Sequence, residues 1–270
     1  MSAPNQITPK QLLRLIGTPD CPRLIDIRTP EDFASDPFLI PASERFDHTD
    51  PQALSTALRG DRTVIICQKG KKLSQGLASF LQGAQVPAEV LQGGMFGWRD
   101  LDGAPRVPAA ALPASFQGAT LWVMRQRPKI DRIACPWLIR RFLDRCARFL
   151  FVAPGEVIAA AEHFGATPID VPGAVLSHRG NRCSFDAILE DFALETDPLR
   201  RMAEVIRAAD TNRHDLHPAA AGLLAISVGL SRQYRNDHEQ LNAGLGLYDA
   251  LYRWARDGFE EGHDWSEERV

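Results

Sequence analysis

What this chain lacks narrows its function before any motif is considered. It has no apolar run long enough to cross a bilayer; the longest, Pro218 to Leu230, falls short of the roughly 20 residues needed. No membrane role is expected. The first residues, MSAPNQITPK, carry neither a basic start nor an apolar stretch, so no secretory signal is expected there. The chain also lacks a strong charge of either sign, with a formal net charge of -3. General nucleic-acid binders carry a basic excess, so nucleic acid is not an expected partner. The five cysteines are odd in number and include no C-x-x-C pair, which argues against a disulfide framework. A cytoplasmic location is expected, and each thiol is then read for reactivity or for packing.

What is present is a globular composition, 44% hydrophobic and 24% charged over 270 residues, enough for one large domain or two small ones. No internal repeat is visible. The stretch Asp102 to Thr120 is rich in proline and alanine and poor in charge, which reads as a linker. The expected division is a first domain at 1–107, a linker at 108–119 and a second domain at 120–270. The basic residues change across it. Four of the 12 in the first part are lysine, but only Lys129 among the 19 in the second. Arginine suits bidentate anion contacts, although coding bias accounts for the same fact.

The first part alternates elements. A helix is expected at Thr8 to Ile16, capped by Thr8 with Pro9 in its first turn. Strands are expected at Arg23 to Ile27, Thr63 to Cys67 and Ala88 to Leu91, with a helix from Leu73 to Leu81 ending at Gly83. Strand, helix and strand at this spacing imply a parallel sheet covered by helices. Ligands in such sheets bind at the carboxyl ends of strands. There the text is C-Q-K-G-K-K-L-S, Cys67 to Ser74. A cysteine followed by a glycine-containing turn and a helix start is surrounded by backbone N–H groups. Lys69, Lys71 and Lys72 add positive charge. All of these favour thiolate or persulfide at Cys67. The plainer alternative is an inert cysteine ending a core strand.

This part resembles a rhodanese domain, over about Thr8 to Val107. The motifs that carry the resemblance are L-I-D-I-R-T-P-E-D-F (Leu24 to Phe33), C-Q-K-G-K-K (Cys67 to Lys72) and L-Q-G-G-M-F-G-W (Leu91 to Trp98). It implies a sulfurtransferase in which Cys67 is catalytic and carries sulfur as a persulfide from a small-molecule sulfur donor to a thiol acceptor, with no cofactor required. Gln68, Lys69, Gly70, Lys71, Lys72 and Ser74 form the implied substrate loop, with Asp26 and Arg28 close by. A surface ion pair is the plainer reading of Asp26 and Arg28. Phosphatases of related shape need an arginine six residues after the cysteine, and Leu73 stands there instead. The segment D-P-F-L-I-P-A-S (Asp36 to Ser43) departs from the family's usual text at the pocket rim. Trp98 is expected to pack the closing motif, and Cys21 to be a surface or loop thiol.

The second part reads as mostly helical with a small sheet. Strands are expected at Thr120 to Arg125 and Arg148 to Val152. Helical spacing runs from Ile130 to Leu138, with Pro136 interrupting it or starting its regular part. Further helices are expected at Pro154 to Phe164, at Ser184 to Phe192 with Ser184 as cap, and at Asp197 to Ala209. Pro218 to Leu230 is apolar all round and reads as a central buried helix. Asp237 to Arg256 is amphipathic, with Asp237 and Gln240 at capping-box spacing. Asp210 and His214 are four apart and would share a helix face if that helix ran far enough. His, Asp and Cys side chains can ligate a divalent metal. Asp131, His178, Asp210 and His238 are the candidate ligands, although no spacing matches a recognised zinc pattern.

This part resembles the carboxy-terminal domain of the ChrB chromate-resistance proteins. The matching text includes W-V-M-R-Q-R-P-K-I-D-R-I-A-C-P-W-L-I-R-R-F (Trp122 to Phe142), L-S-H-R-G-N-R-C-S-F-D (Leu176 to Asp186) and A-G-L-L-A-I-S-V-G-L-S-R (Ala221 to Arg232). The resemblance implies a role in chromate resistance, with chromate or another oxyanion as partner. Family members commonly carry a different amino-terminal region associated with regulation, so transcriptional regulation is not carried over. The leading expectation is a sulfurtransferase joined to a chromate-resistance domain. The alternatives are a non-catalytic oxyanion or metal sensor, and a metal-dependent enzyme with its site in the second domain.

Overall fold

A computed structural model describes residues 5–116 and 118–262. In the first half the elements run β1 (Gln6–Ile7), α1 (Pro9–Leu15), β2 (Arg23–Asp26), α2 (Pro30–Ser35), β3 (Phe38–Leu39) and β4 (Ser43–Arg45). They continue with α3 (Pro51–Ala57), β5 (Thr63–Ile66), α4 (Lys72–Gly83), β6 (Ala88–Leu91), α5 (Gly94–Arg99) and β7 (Val107–Pro108). Five strands form a parallel sheet in the order β1-β6-β5-β2-β4. The first helix begins as expected. The Thr8 hydroxyl accepts from the Gln11 N–H while the Gln11 side chain accepts from the Thr8 N–H, with Pro9 at the first helical position.

Every residue of β5 is buried, which is why TVII reads as continuously apolar. The two faces of the sheet feed different cores, because side chains alternate along a strand. Ile25, Ile65, Cys67 and Val90 point toward α3 and α4, where Leu54, Leu77 and Leu81 meet them. Leu24, Val64 and Ile66 point the other way, toward α1 and α5, into a core that runs on through Trp122, Phe142 and Tyr252 of the second half.

The second half contains β8 (Ser115–Phe116), β9 (Ala119–Arg125), α6 (Asp131–Leu138), β10 (Arg148–Val152), α7 (Val157–Phe164) and β11 (Thr167–Pro168). Four helices follow: α8 (Ser184–Asp191), α9 (Asp197–Asp210), α10 (Ala220–Gln233) and α11 (Asp237–Asp257). The small sheet has the order β10-β9-β11, all parallel, with β8 antiparallel to β9. Val123 faces α7, whereas Trp122 and Met124 face the helices. Pro136 lies inside α6, which passes directly into a π-helical turn at Ile139–Leu143. The architecture is therefore α/β: a parallel sheet flanked by helices, then a mostly helical part with a small sheet.

The two halves are stitched together. The Ala42 N–H donates to the Phe142 carbonyl at 2.6 Å, and the Arg256 guanidinium donates to the Arg14 carbonyl at 2.8 Å. Gly17 sits at this seam with φ +82°, and a Cβ there would collide with the Phe142 and Tyr252 rings. No helix among the described residues is long and apolar enough to cross a membrane.

Four local expectations are corrected. The apolar helix α10 is not central. Only Ala220, Leu223, Ser227 and Ser231 of it are buried, and Ile226 is 50% exposed. A helix apolar on every side carries no signal for which face packs, and its small residues turn inward. The cap of α8 is Cys183, not Ser184, and its N–H donates to the Asp186 carboxylate. The cap of α11 is Asn236; Asp237 instead accepts from the Arg127 N–H, and the Gln240 amide donates to the Pro128 carbonyl. Helix α9 ends at Asp210, so Asp210 and His214 share no helix face, and His214 meets Asn212 instead.

Candidate functional site

Two clusters bring chemically capable side chains together. The first lies at the carboxyl end of β5. The pairing of Asp26 with Ile66, and the hydrogen bond from the Ile27 N–H to the Ile66 carbonyl, hold the strand end in line. Cys67 follows at 5% exposure. Gly70 turns the loop with φ +63°, and Gly94 with φ +59° lies against it; a Cβ on Gly94 would collide with the Cys67 carbonyl. The Met95 and Phe96 N–H groups donate to the carbonyls of Cys67 and Gln68 at 2.9 and 3.1 Å. The closing motif thus clamps the loop from behind. Trp98 is fully buried there and donates to the Pro105 carbonyl.

The sulfur sits in a ring of donors. Ser74 Oγ is 3.1 Å from Cys67 Sγ. Burial pushes the Cys67 thiol up, but the Ser74 hydroxyl and the N–H groups of Ser74, Lys71 and Lys69 outweigh it. The net shift is below the ordinary thiol value. Lys69, Lys71 and Lys72 are exposed on the loop surface. Gln68 is buried, and its Oε1 has no protein partner.

Asp26 and Arg28 are not a surface pair. Arg28 is 1% exposed and Asp26 2%, and the guanidinium clasps both carboxylate oxygens at 2.6–3.0 Å. Arg28 also donates to the carbonyls of Asp36 and Phe38. The pair therefore fixes the rim segment that follows α2, with its polar groups already engaged. Beside it is a pocket of about 400 Å³ lined by Arg28, Arg45, Phe46 and His48. Arg45, stacked over Phe33, and His48 went unread in the sequence because no motif marks them. Cys21 is half-buried against the shared core, and burial raises its thiol to about 11. A cleft of about 700 Å³ between Arg14, Phe142, Glu195 and Arg256 holds neither Cys67 nor His178.

The second cluster is centred on His178. Its Nε2 lies 3.6 Å from Asp131 Oδ2, 3.5 Å from Asp170 Oδ1 and 3.2 Å from Asp210 Oδ2. Asp131 enters from the first turn of α6, behind Ile130 at φ +48°, a turn held by the Tyr248 hydroxyl donating to the Ile130 carbonyl. Asp210 ends α9. Asp170 follows β11 at φ +57° and also meets Arg125 at 2.5 Å, Arg132 at 3.2 Å and the Ser184 hydroxyl at 3.3 Å. Asp131 is 1% exposed and its Oδ2 has no hydrogen-bond partner. His178 is raised to about 9, chiefly by the Asp131 carboxylate beside it. Asp210 is pushed up to about 8 by burial and then by the Asp131 charge. Burial, then Asp131, also raises Asp170, against the pull of Arg125.

Three of the four expected ligands, Asp131, His178 and Asp210, thus meet. His238 does not join them; its ring lies edge-on to Phe151. Asp170 was missed. Its left-handed backbone beside Pro172 and Gly173 reads as an ordinary turn, and only the fold brings it to the histidine. His178 and Asp210 are the open side of the cluster, with 39% and 14% of their side chains exposed.

Comparison with known proteins follows the same division. The family described as rhodanese-like domain matches residues 8–101, and the family described as ChrB, C-terminal domain matches residues 122–255. Protein ChrB of Cupriavidus metallidurans is 34% identical over 141 residues, 52% of this chain and 42% of that protein. The chain therefore matches less than half the length of that relative. Among solved structures, a rhodanese-related protein from Thermoplasma volcanium is 21% identical, with a TM-score of 0.33, over 38% of this chain and 97% of that one. A thiosulfate sulfurtransferase from Pseudomonas aeruginosa is 24% identical, with a TM-score of 0.30, over 39% and 21%. This polypeptide carries a rhodanese-like domain followed by a ChrB C-terminal domain.

Proposed function

We propose that the chain is a sulfurtransferase that works within chromate resistance. Cys67 is the sulfur carrier. The observation that carries this reading is the Ser74 Oγ 3.1 Å from its sulfur, in a loop whose backbone N–H groups help hold the thiol below its ordinary value. Such surroundings favour an anionic sulfur, whether thiolate or persulfide.

With thiosulfate as donor, the Cys67 thiolate attacks the outer sulfur. The new S–S bond forms as the bond to the sulfite group breaks, and sulfite leaves with the electron pair. An acceptor thiolate then attacks the outer sulfur of the persulfide and releases the Cys67 thiolate. Two displacements replace one difficult transfer, and no outside oxidant is consumed. The exposed Lys69, Lys71 and Lys72 attract an anionic donor, and the low exposure of Cys67 favours a terminal sulfur over a bulky group. The thiol acceptor requires a reducing compartment, in keeping with a cytoplasmic location. The likeness of the second domain to ChrB supports chromate, or another oxyanion, as the context of the reaction.

The test uses the purified full chain with thiosulfate. The peptide bearing Cys67 gains the mass of one sulfur atom, and added thiol removes it with turnover. Cys67→Ser shows neither. A wild-type protein that folds but never gains the sulfur overturns the proposal and leaves Cys67 a sensing thiol.

A further inference from the structure

We propose that Asp131, Asp170, Asp210 and His178 form a binding site for one divalent first-row transition cation in the second domain. The site is independent of sulfur chemistry at Cys67. Three carboxylates, from α6, the turn after β11 and the end of α9, converge on one imidazole nitrogen. Chain segments so far apart in sequence do not bring like charges together for local reasons.

The distances describe the arrangement. Good N–H···O hydrogen bonds peak near about 2.9–3.0 Å. The contacts to Nε2 are 3.2, 3.5 and 3.6 Å. A tetrahedron of N and O ligands about 2.1 Å from a central ion has edges of about 3.4 Å, within this range. Asp131, Asp170 and His178 offer ligand atoms that all lie within 4.8 Å of one another, close enough to share an ion, and Asp210 reaches the same imidazole nitrogen from the open side.

Asp131 supplies a second, separate observation. Its Oδ2 is buried, faces this cluster and lacks a hydrogen-bond partner. An unpaired buried carboxylate oxygen is strongly disfavoured unless a cation meets it. The His178 ring stands 3.6 Å away, too far for a hydrogen bond to it, and the arginines do not fill that role. Arg125 and Arg132 both reach Asp170 at Oδ2, leaving its Oδ1 toward His178. Ser184 bonds that same Oδ1 and orients it.

The donor set selects the class of ion. Three carboxylates with one imidazole suit manganese, iron(II) or zinc better than a thiolate-seeking ion. Calcium prefers six to eight oxygens, more than this set provides. The exposed His178 side gives a route of entry, and water completes the shell there.

The experiment uses the full chain stripped of metal by chelator. Equilibrium dialysis against Mn²⁺, with total metal counted by mass spectrometry, reads the stoichiometry. Manganese is chosen because it avoids thiolates, so exposed Cys146 does not contribute. One equivalent is expected per chain, together with a concentration-dependent rise in Tm. Asp210→Asn and His178→Gln are each expected to weaken binding at least tenfold. His238→Ala and Cys67→Ser leave it unchanged. If Asp210→Asn does not fold by circular dichroism, the partly exposed His178→Gln decides. Absence of saturable binding to the folded wild type overturns the proposal and leaves a closed network around an imidazolium. Undiminished binding in His178→Gln overturns it as well.

Discussion

Replacing Ser74 by alanine tests the reading of Cys67 most directly. Both residues are buried, Ser74 at 0% and Cys67 at 5% exposure, so water does not take over the lost hydrogen bond. The change removes one oxygen and leaves the helix start intact. The Ser74 hydroxyl lies 3.1 Å from the sulfur and 3.1 Å from the Lys71 carbonyl, and its single hydrogen serves one at a time. In the thiolate form it goes to sulfur. A hydrogen bond to a charged group contributes about 1.5–3 kcal/mol, and the neutral bond to Lys71 given up is worth about 0.5–1.5 kcal/mol. The net preference for thiolate is about 1–1.5 kcal/mol, or about tenfold in the thiolate fraction. The thiol shift below its ordinary value means that reactivity rises with pH through a depressed midpoint. In Ser74→Ala that midpoint moves up. Below it, the iodoacetamide alkylation rate of the Cys67 peptide falls about tenfold, while the rate at high pH is little changed. Mass spectrometry resolves this peptide from exposed Cys146. A pH profile that stays in place, or moves down, refutes the account of the sulfur's surroundings.

Other substitutions probe the scaffold. Arg28→Met leaves the Asp26 carboxylate buried without its partner and is expected to destabilise by about 3–5 kcal/mol, read from urea unfolding. Gly17→Ala places a methyl group against Phe142 and Tyr252 at a positive φ. It costs about 2 kcal/mol or more, of which left-handed strain accounts for about 1–2, and a Tm equal to wild type would refute the packing at the seam. Ile226→Lys changes stability by no more than about 0.5 kcal/mol, since Ile226 is half exposed on α10; a core-sized loss in the same denaturation experiment would return that helix to the interior.

The sequence by itself determined what local chemistry can determine. The Cys67 loop is legible because strand end, turn and helix start are contiguous, and each carries a residue type its backbone demands. The Thr8 cap, the buried run TVII and the parallel sheet follow for the same reason. Strands of two or three residues, such as Phe38–Leu39 and Ser43–Arg45, are too short to show a period and left no trace. The burial of Asp26 and Arg28 was also hidden, since a pair two residues apart looks the same on a surface or inside. In the second half, the tertiary structure made the larger decisions. The all-apolar α10 gives no face to choose, and packing against α9 and α11 chose its small residues. Asp170 and His238 show the same limit from opposite sides. Asp170 has no neighbour in sequence that marks it, yet the turn after β11 delivers it to His178. His238 sits among promising polar residues, yet the start of α11 sends its ring to Phe151. Sequence lists the groups able to do chemistry. Convergence of residues 131, 170, 178 and 210 on one point depends on long-range packing, which no local pattern encodes.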